Sequence, residues 1–259
     1  MILDDIVAFT RKRVENLKNE YLPGELKQKA EAMPKGDFAF HKSISKEGLS
    51  YICEVKKASP SKGVISENFP YKLIAEEYEE AGADAVSVLT EPQFFKGSSS
   101  YLREIADIVK IPVLRKDFII DESQIYEAKL IGADAVLLIC AILNDSVLKN
   151  YIEIAGGLGV SCLVEAHDEK EIEMALKAGA CIIGVNNRNL KTFKVDTGRS
   201  IQLRKLVPRN ILFVSESGIK TRDDIKLLEE SGADAVLIGE TFMRSKDKAT
   251  ELKRLRGLE

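Results

Sequence analysis

The chain has only four cysteines among its 259 residues, and no two are spaced as a CxxC pair or as ligands to a metal ion. Cys53, Cys140, Cys162 and Cys181 fall in or beside apolar segments, so they are expected to be reduced core residues, which suits a cytoplasmic protein. There is no run of 18 apolar residues, which excludes a membrane-spanning helix, and residues 1–19 mix apolar and charged side chains too evenly for a signal peptide. An excess of positive charge is missing too: 38 Lys and Arg stand against 41 Asp and Glu, a net charge of −3. That balance excludes a general field for nucleic acid or anionic membranes and leaves any anionic ligand to be met locally. A dinucleotide loop is also lacking. Lys57-Ala58-Ser59-Pro60-Ser61-Lys62-Gly63 follows the first predicted strand, while Gly156-Gly157-Leu158-Gly159 has the wrong spacing and precedes a strand, which argues against an open doubly wound sheet.

What the chain does have is one phrase used four times: Ala81-Gly82-Ala83-Asp84-Ala85-Val86, Ile131-Gly132-Ala133-Asp134-Ala135-Val136, Ala178-Gly179-Ala180-Cys181-Ile182-Ile183 and Ser231-Gly232-Ala233-Asp234-Ala235-Val236. Each copy ends a helical pattern on glycine and opens an apolar run too short for another helix, so each is a helix-to-strand junction. The copies recur about every 50 residues, the length of two βα units, and four such pairs give eight strands. Strands are predicted at 51–56, 85–89, 112–116, 135–139, 162–165, 181–185, 212–215 and 235–239. Helices are predicted at 71–81, 100–109, 123–131, 146–155, 169–178, 200–206, 222–231 and 246–258. With 45% hydrophobic residues to fill a core, this predicts an α/β fold, a (β/α)8 TIM barrel over residues 1–259, with 1–49 as an N-terminal helical extension over the barrel mouth. An amphipathic helix opens that extension, carried by Leu3, Ile6, Val7, Val14 and Leu17.

Such barrels carry their active sites at the C-terminal strand ends, where alternate residues of each strand face the interior. Glu54 and Lys56 share a face of the first strand; Lys116 is in phase with Leu114, Glu165 with Leu163, Asn186 with Gly184, and Ser217 with Ser215. Each alone reads as the first solvated residue of a loop. Together they put two lysines, two acids, an amide and a hydroxyl at one mouth, where partial desolvation couples opposite charges and is expected to lower lysine pKa values toward a catalytic range. Proton transfer is the implied chemistry. Gly218 and Gly239, after the seventh and eighth strands, open the backbone for a phosphate, with Lys56 near enough to add charge. His167 lies two residues past Glu165 and is expected to support it or to be solvated.

Cys53-Glu54-Val55-Lys56-Lys57-Ala58-Ser59-Pro60-Ser61, Arg115-Lys116-Asp117-Phe118, Leu163-Val164-Glu165, Gly184-Val185-Asn186-Asn187-Arg188-Asn189-Leu190 and Ser215-Glu216-Ser217-Gly218 closely resemble indole-3-glycerol phosphate synthase, and the likeness covers essentially the whole chain. The resemblance implies a carboxy-lyase of tryptophan biosynthesis that closes, decarboxylates and dehydrates 1-(2-carboxyphenylamino)-1-deoxyribulose 5-phosphate. It implies catalytic roles for Lys116, Lys56, Glu165, Glu54 and Asn186, with Lys116 the general acid. Ser59 and Arg188 would approach the substrate, and Phe95, Phe118, Leu137, Leu190 and Ile238 would enclose its ring. Ser217, Gly218, Gly239 and Glu240 would hold its phosphate. Ala166, where a larger β-branched residue is common, and Asn189, where aspartate is frequent, depart from the family pattern without touching a proton-transfer group.

The implied partner is a small phosphorylated substrate, with no nucleic acid, membrane, metal or cofactor. Oligomeric state is left open, a monomer being compatible with the sequence. Two rivals are a phosphoribosylanthranilate isomerase, which would need an aspartate and cysteine pair although Cys53 is out of phase with Glu54 and Lys56, and a barrel that only binds phosphorylated ligands.

Overall fold

The computed structural model of the chain describes residues 2–189 and 194–258. Three helices come first: α1 (Ile2–Asn19), α2 (Glu25–Ala32) and α3 (Ala39–Ile44). Strand β1 (Ser50–Val55) follows, with a small hairpin of β2 (Ala58–Ser59) and β3 (Gly63–Val64) in the loop after it. Helix and strand then alternate through α4 (Tyr71–Ala81), β4 (Ala85–Leu89), α5 (Ser99–Ala106), β5 (Val113–Lys116), α6 (Ser123–Leu130) and β6 (Ala135–Ile139). A single 3-10 turn, Cys140–Ile142, leads into α7 (Asp145–Leu158), β7 (Ser161–Ala166), α8 (Glu169–Lys177), β8 (Ile182–Asn186), α9 (Gly198–Arg204) and β9 (Leu212–Glu216). The described chain ends with α10 (Arg222–Ser231), β10 (Ala235–Ile238), α11 (Glu240–Arg244) and α12 (Lys248–Arg256). Strands β1 and β4 to β10 pair in parallel and close in the order β1-β10-β9-β8-β7-β6-β5-β4, the expected (β/α)8 barrel with an N-terminal helical extension. Among the described residues no helix is long and apolar enough to cross a membrane.

The repeated junctions set where the even strands of the barrel begin. Gly82, Gly132, Gly179 and Gly232 all have positive φ, between 81° and 90°, a conformation that turns the chain sharply from helix into strand. The aspartates two residues on tie neighbouring strands together. Asp84, Asp134 and Asp234 accept the backbone N–H of Tyr51, Val113 and Phe213 at 2.9, 2.9 and 2.7 Å, each at the start of the strand before. In the third copy Cys181 takes that place and is exposed on the rim, which corrects the expectation of four core cysteines; Cys53 and Cys140 are buried and Cys162 is partly covered.

Two apolar layers follow from the strand period. Ile52, Leu114, Leu137, Leu163, Val214 and Leu237 fill the barrel, while Val86, Val136, Val164, Ile183, Phe213 and Val236 point out into the helices. Helix α3 closes the N-terminal end: Phe40 and Ile44, both fully buried, belong to the inner layer. Its His41 N–H donates to Ser161 Oγ at the start of β7, and Ser43 Oγ donates to the Asp84 carbonyl. Helix α2 packs on α6, and α1 lies at the other end of the barrel, where Arg13 makes two hydrogen bonds to Asp117 at 3.0 and 2.8 Å and Lys18 pairs with Asp121 at 2.6 Å.

Candidate active site

A cavity of about 950 Å³ opens at the C-terminal strand ends, lined by the tips of the inner strand faces, the β2–β3 loop and the first turns of α1 through Ile2, Leu3 and Ile6. Glu54, Lys56, Lys116, Glu165 and Asn186 line it, as do Ser59, Arg188, Phe95, Phe118, Leu137, Ile238, Ser217, Gly218, Gly239 and Glu240. Of the site residues expected from sequence, only Leu190 lies outside the described residues.

The expected phases hold on four strands. Glu54 is buried and ion-paired with Lys56. Lys116 Nζ stands 3.3 Å from Glu165 Oε2, to which Asn186 Nδ2 also donates at 3.2 Å. On β9 the phase differs. Ser215 points out toward α9, donating to Ser200 Oγ at 2.8 Å and accepting from Asn187 Nδ2 at 3.1 Å. Glu216 points in with Val214 and places Oε2 3.3 Å from Lys116 Nζ, so the mouth holds three acids where two were expected. Gly184 makes the room, since a β-carbon there would collide with the Glu216 carboxylate and press on Leu163. Sequence carried a faint signal for this: Val214 and Glu216 repeat the apolar-then-acid spacing of the inward residues Leu163 and Glu165, although Ser215 beside them looks equally able to face either way.

Charge is what distinguishes this mouth from the core beneath it. Burial disfavours the charged lysine at Lys116, but the carboxylates of Glu216, Glu165 and Glu54 outweigh it and hold the ammonium well above the ordinary lysine range. The expected fall of a lysine pKa is thus reversed at Lys116, because three acids surround one cation. Burial pushes Glu165 up, yet Lys116 and His167 pull it below the ordinary carboxylate value. Burial and the nearby Glu165 charge push Glu216 up to about 7 against the opposing pull of Lys116. Glu165 Oε1 and Glu216 Oε1 are buried and accept no hydrogen bond from the described residues.

Around these groups the backbone is fastened from outside. Asp117, next to Lys116, receives Arg13, Arg115 and Thr90 Oγ1, and in spite of burial these hold it down at about 2. Buried Glu91 accepts the N–H groups of Gln93, Phe94 and Phe95 at 2.9, 2.7 and 3.0 Å, which sets the turn carrying Phe95; its ring lies 6.0 Å from that of Phe118. Ser217 reaches the cavity because the chain turns there with φ 68°, followed by Gly218 at 87°. A left-handed serine costs about 1–2 kcal/mol. Asn187 braces it, with Nδ2 donating to the Ser217 carbonyl at 3.1 Å and Oδ1 accepting from Ser200 N and Oγ. Sequence reading passed over Asn187 because the neighbouring Asn186 has the inward phase.

At the other side of the mouth, a β-carbon on Gly239 would collide with Glu54 and Lys56, so its missing side chain makes space for that ion pair as well as for a ligand. The Glu240 carboxylate is engaged by Arg244 at 3.1 Å and Lys62 at 3.5 Å, and all three residues line the cavity. Cations therefore rim the glycine turns, while aromatic rings and two acid-flanked lysines occupy the rest.

The sequence matches the family model for indole-3-glycerol phosphate synthase over residues 3–255. Among curated relatives, the indole-3-glycerol phosphate synthase of Ruminiclostridium cellulolyticum is 62% identical over 258 residues, covering 99% of this chain and 99% of the relative. That of Endomicrobium trichonymphae is 61% identical over 257 residues, covering 99% and 100%. A 3-hexulose-6-phosphate synthase from Salmonella typhimurium superposes with a TM-score of 0.67 at 15% identity over 81% of this chain and 98% of that one, a likeness of fold alone. With a barrel of this form and relatives of this identity along its whole length, the chain belongs to the indole-3-glycerol phosphate synthase family.

Proposed function

We propose that the chain converts 1-(2-carboxyphenylamino)-1-deoxyribulose 5-phosphate to indole-3-glycerol phosphate, carbon dioxide and water, as a carboxy-lyase of tryptophan biosynthesis. The observation that carries this reading is the Lys116 ammonium held between Glu165 and Glu216, in one cavity with an aromatic wall and a cation-rimmed glycine turn.

Ring closure joins the aromatic carbon that bears the carboxylate to the C2 carbonyl carbon of the sugar chain. Lys116 gives its proton to the carbonyl oxygen, which makes the carbon electrophilic. The C–C bond to the carboxylate then breaks, its electrons restore the aromatic ring, and carbon dioxide leaves. The remaining hydroxyl departs as water with a proton from Lys56, while Glu165 takes the proton lost beside it. Glu54 orients Lys56, and Asn186 orients Glu165 and holds a substrate hydroxyl. Positioned acid–base groups contribute about 10²- to 10⁴-fold each, and holding the flexible substrate folded in the cavity contributes further.

Phe95, Phe118, Leu137 and the inward Leu237 enclose the anthranilate ring, Ile238 keeping the outward phase of Val236 and only bordering the cavity, and Ser59 and Arg188 approach from their loops. Ser217, Gly218, Gly239 and Glu240 bind the phosphate through main-chain N–H groups and the Ser217 hydroxyl; the Glu240 carboxylate serves to place Lys62 and Arg244. We read residues 1–259 as one barrel domain with 1–49 as its extension, acting in the cytoplasm on a small phosphorylated substrate without a cofactor. The isomerase alternative loses its base, because Cys53 is buried in the outer layer against the helices. Purified protein given the carboxyphenylamino-deoxyribulose phosphate, with no metal or cofactor added, is expected to yield indole fluorescence. No indole signal at high enzyme concentration would overturn the assignment.

A further inference from the structure

His167 is one of only two histidines in the chain and stands directly behind the reacting groups. Its Nε2 lies 3.4 Å from Glu165 Oε1 and its Nδ1 lies 3.1 Å from Glu171 Oε2, at the first turn of α8. The His167 backbone N–H donates to the same Glu171 oxygen at 2.7 Å, which fixes the ring between the two acids. Glu165 Oε2, meanwhile, is taken by Lys116 and Asn186. Glu165 Oε1 and His167 Nε2, each without a hydrogen bond among the described residues, therefore face one another.

A neutral imidazole has one N–H and one lone pair. Set between two carboxylates, it would turn its lone pair on one of them. Both contacts are attractive only when both ring nitrogens carry protons.

We propose that His167 is a positioning residue of the reaction: as an imidazolium between Glu165 and Glu171 it fixes the carboxylate that takes the dehydration proton, and its deprotonation sets an upper pH edge on turnover. The inference rests on the role given above to Glu165. The groups facing His167 agree in sign. Glu165 on β7, Glu171 on α8 and Glu216 on β9 are acids; Lys116 on β5 is engaged beyond Glu165; Cys140 in the 3-10 turn meets the Glu171 carbonyl through its thiol; and Asp168 is occupied capping α8. Burial works against the charged ring, but the Glu171 hydrogen bond and the charges of Glu165, Glu171 and Glu216 raise its pKa above the ordinary histidine value. A raised folded pKa means that the clamp is present at low pH and lost as pH rises through that value.

With two histidines, the imidazole nitrogens can be followed by NMR in ¹⁵N-histidine-labelled protein, the His167 signals being those missing from His167→Gln. Wild-type His167 is expected to show two protonated nitrogens at pH about 6 and a midpoint above about 6.5. Glu171→Gln should lower that midpoint and move the upper edge of kcat down with it. His167→Gln, which keeps an N–H near Glu165 but does not titrate, should lose that edge while kcat falls about tenfold or less. A midpoint at or below about 6.5 would overturn the proposal, as would an NMR midpoint that moves in Glu171→Gln while the kinetic edge stays. If His167→Gln does not fold, the wild-type and Glu171→Gln titrations still decide. Failure of the proposed reaction would show as absent indole product with the NMR result unchanged, so the two failures are separable.

Discussion

The two ends of this barrel are built on opposite terms. At the N-terminal end α3 drops Phe40 and Ile44 into the inner layer, and the Asp84, Asp134 and Asp234 carboxylates satisfy strand-starting N–H groups. At the C-terminal end three buried acids crowd Lys116, two of their oxygens lack hydrogen bonds among the described residues, and Ser217 turns through a left-handed conformation. Buried charges left short of partners cost stability, and well-packed apolar side chains supply it. The plugged end holds the barrel closed so that the charged end can remain strained. Arg13 on α1, braced to Asp117, extends the same logic by fastening the strained end from outside.

That contrast is broken most forcefully at Lys116. Lys116→Ala should lower turnover by about 10²- to 10⁴-fold, measured by indole fluorescence, while inorganic phosphate still competes with substrate as in the wild type. An undiminished rate would remove the role given to this residue. Phe40→Ala attacks the other end: it should destabilise the fold by about 3–5 kcal/mol in denaturant titrations, with kcat per folded molecule unchanged. Loss of kcat together with stability would show that the two ends are not independent.

Much of this division was legible in the sequence, because glycine-ended helices followed by short apolar runs leave few alternatives to alternating βα units. Strand starts at Ala85, Ala135 and Ala235 follow from the repeat itself, and once they are placed, Lys56, Lys116 and Glu165 gather at one mouth. The less legible parts each depended on a partner distant in sequence. Ser215 and Glu216 are both polar, and only the hydroxyl of Ser200 and the amide of Asn187, brought in by the barrel, draw Ser215 outward. Six-residue α3 has too short a period to announce itself, although it closes the whole N-terminal end. The direction of the Lys116 shift follows from the sum of the carboxylates around it, the largest single contribution coming from Glu216, which the sequence did not place at the mouth. The third junction lacks its aspartate, and with Cys181 in that place the chain has an exposed thiol where a core residue was expected.

Glu216 also provides the most direct test of the claim that the mouth is kept at the expense of stability. Its folded pKa, about 7, lies above the ordinary glutamate value of 4.5. The folded state therefore binds the extra proton, and this group's contribution to stability falls as pH rises from about 4.5 to about 7. Glu216→Gln should remove that loss. At pH about 8 the variant is expected to unfold with about 1–3 kcal/mol more free energy than the wild type, with little difference at pH about 4, while kcat falls at least about tenfold because Lys116 loses one of its two flanking carboxylates. A variant that is no more stable at the higher pH, or that keeps the wild-type kcat, would contradict the account.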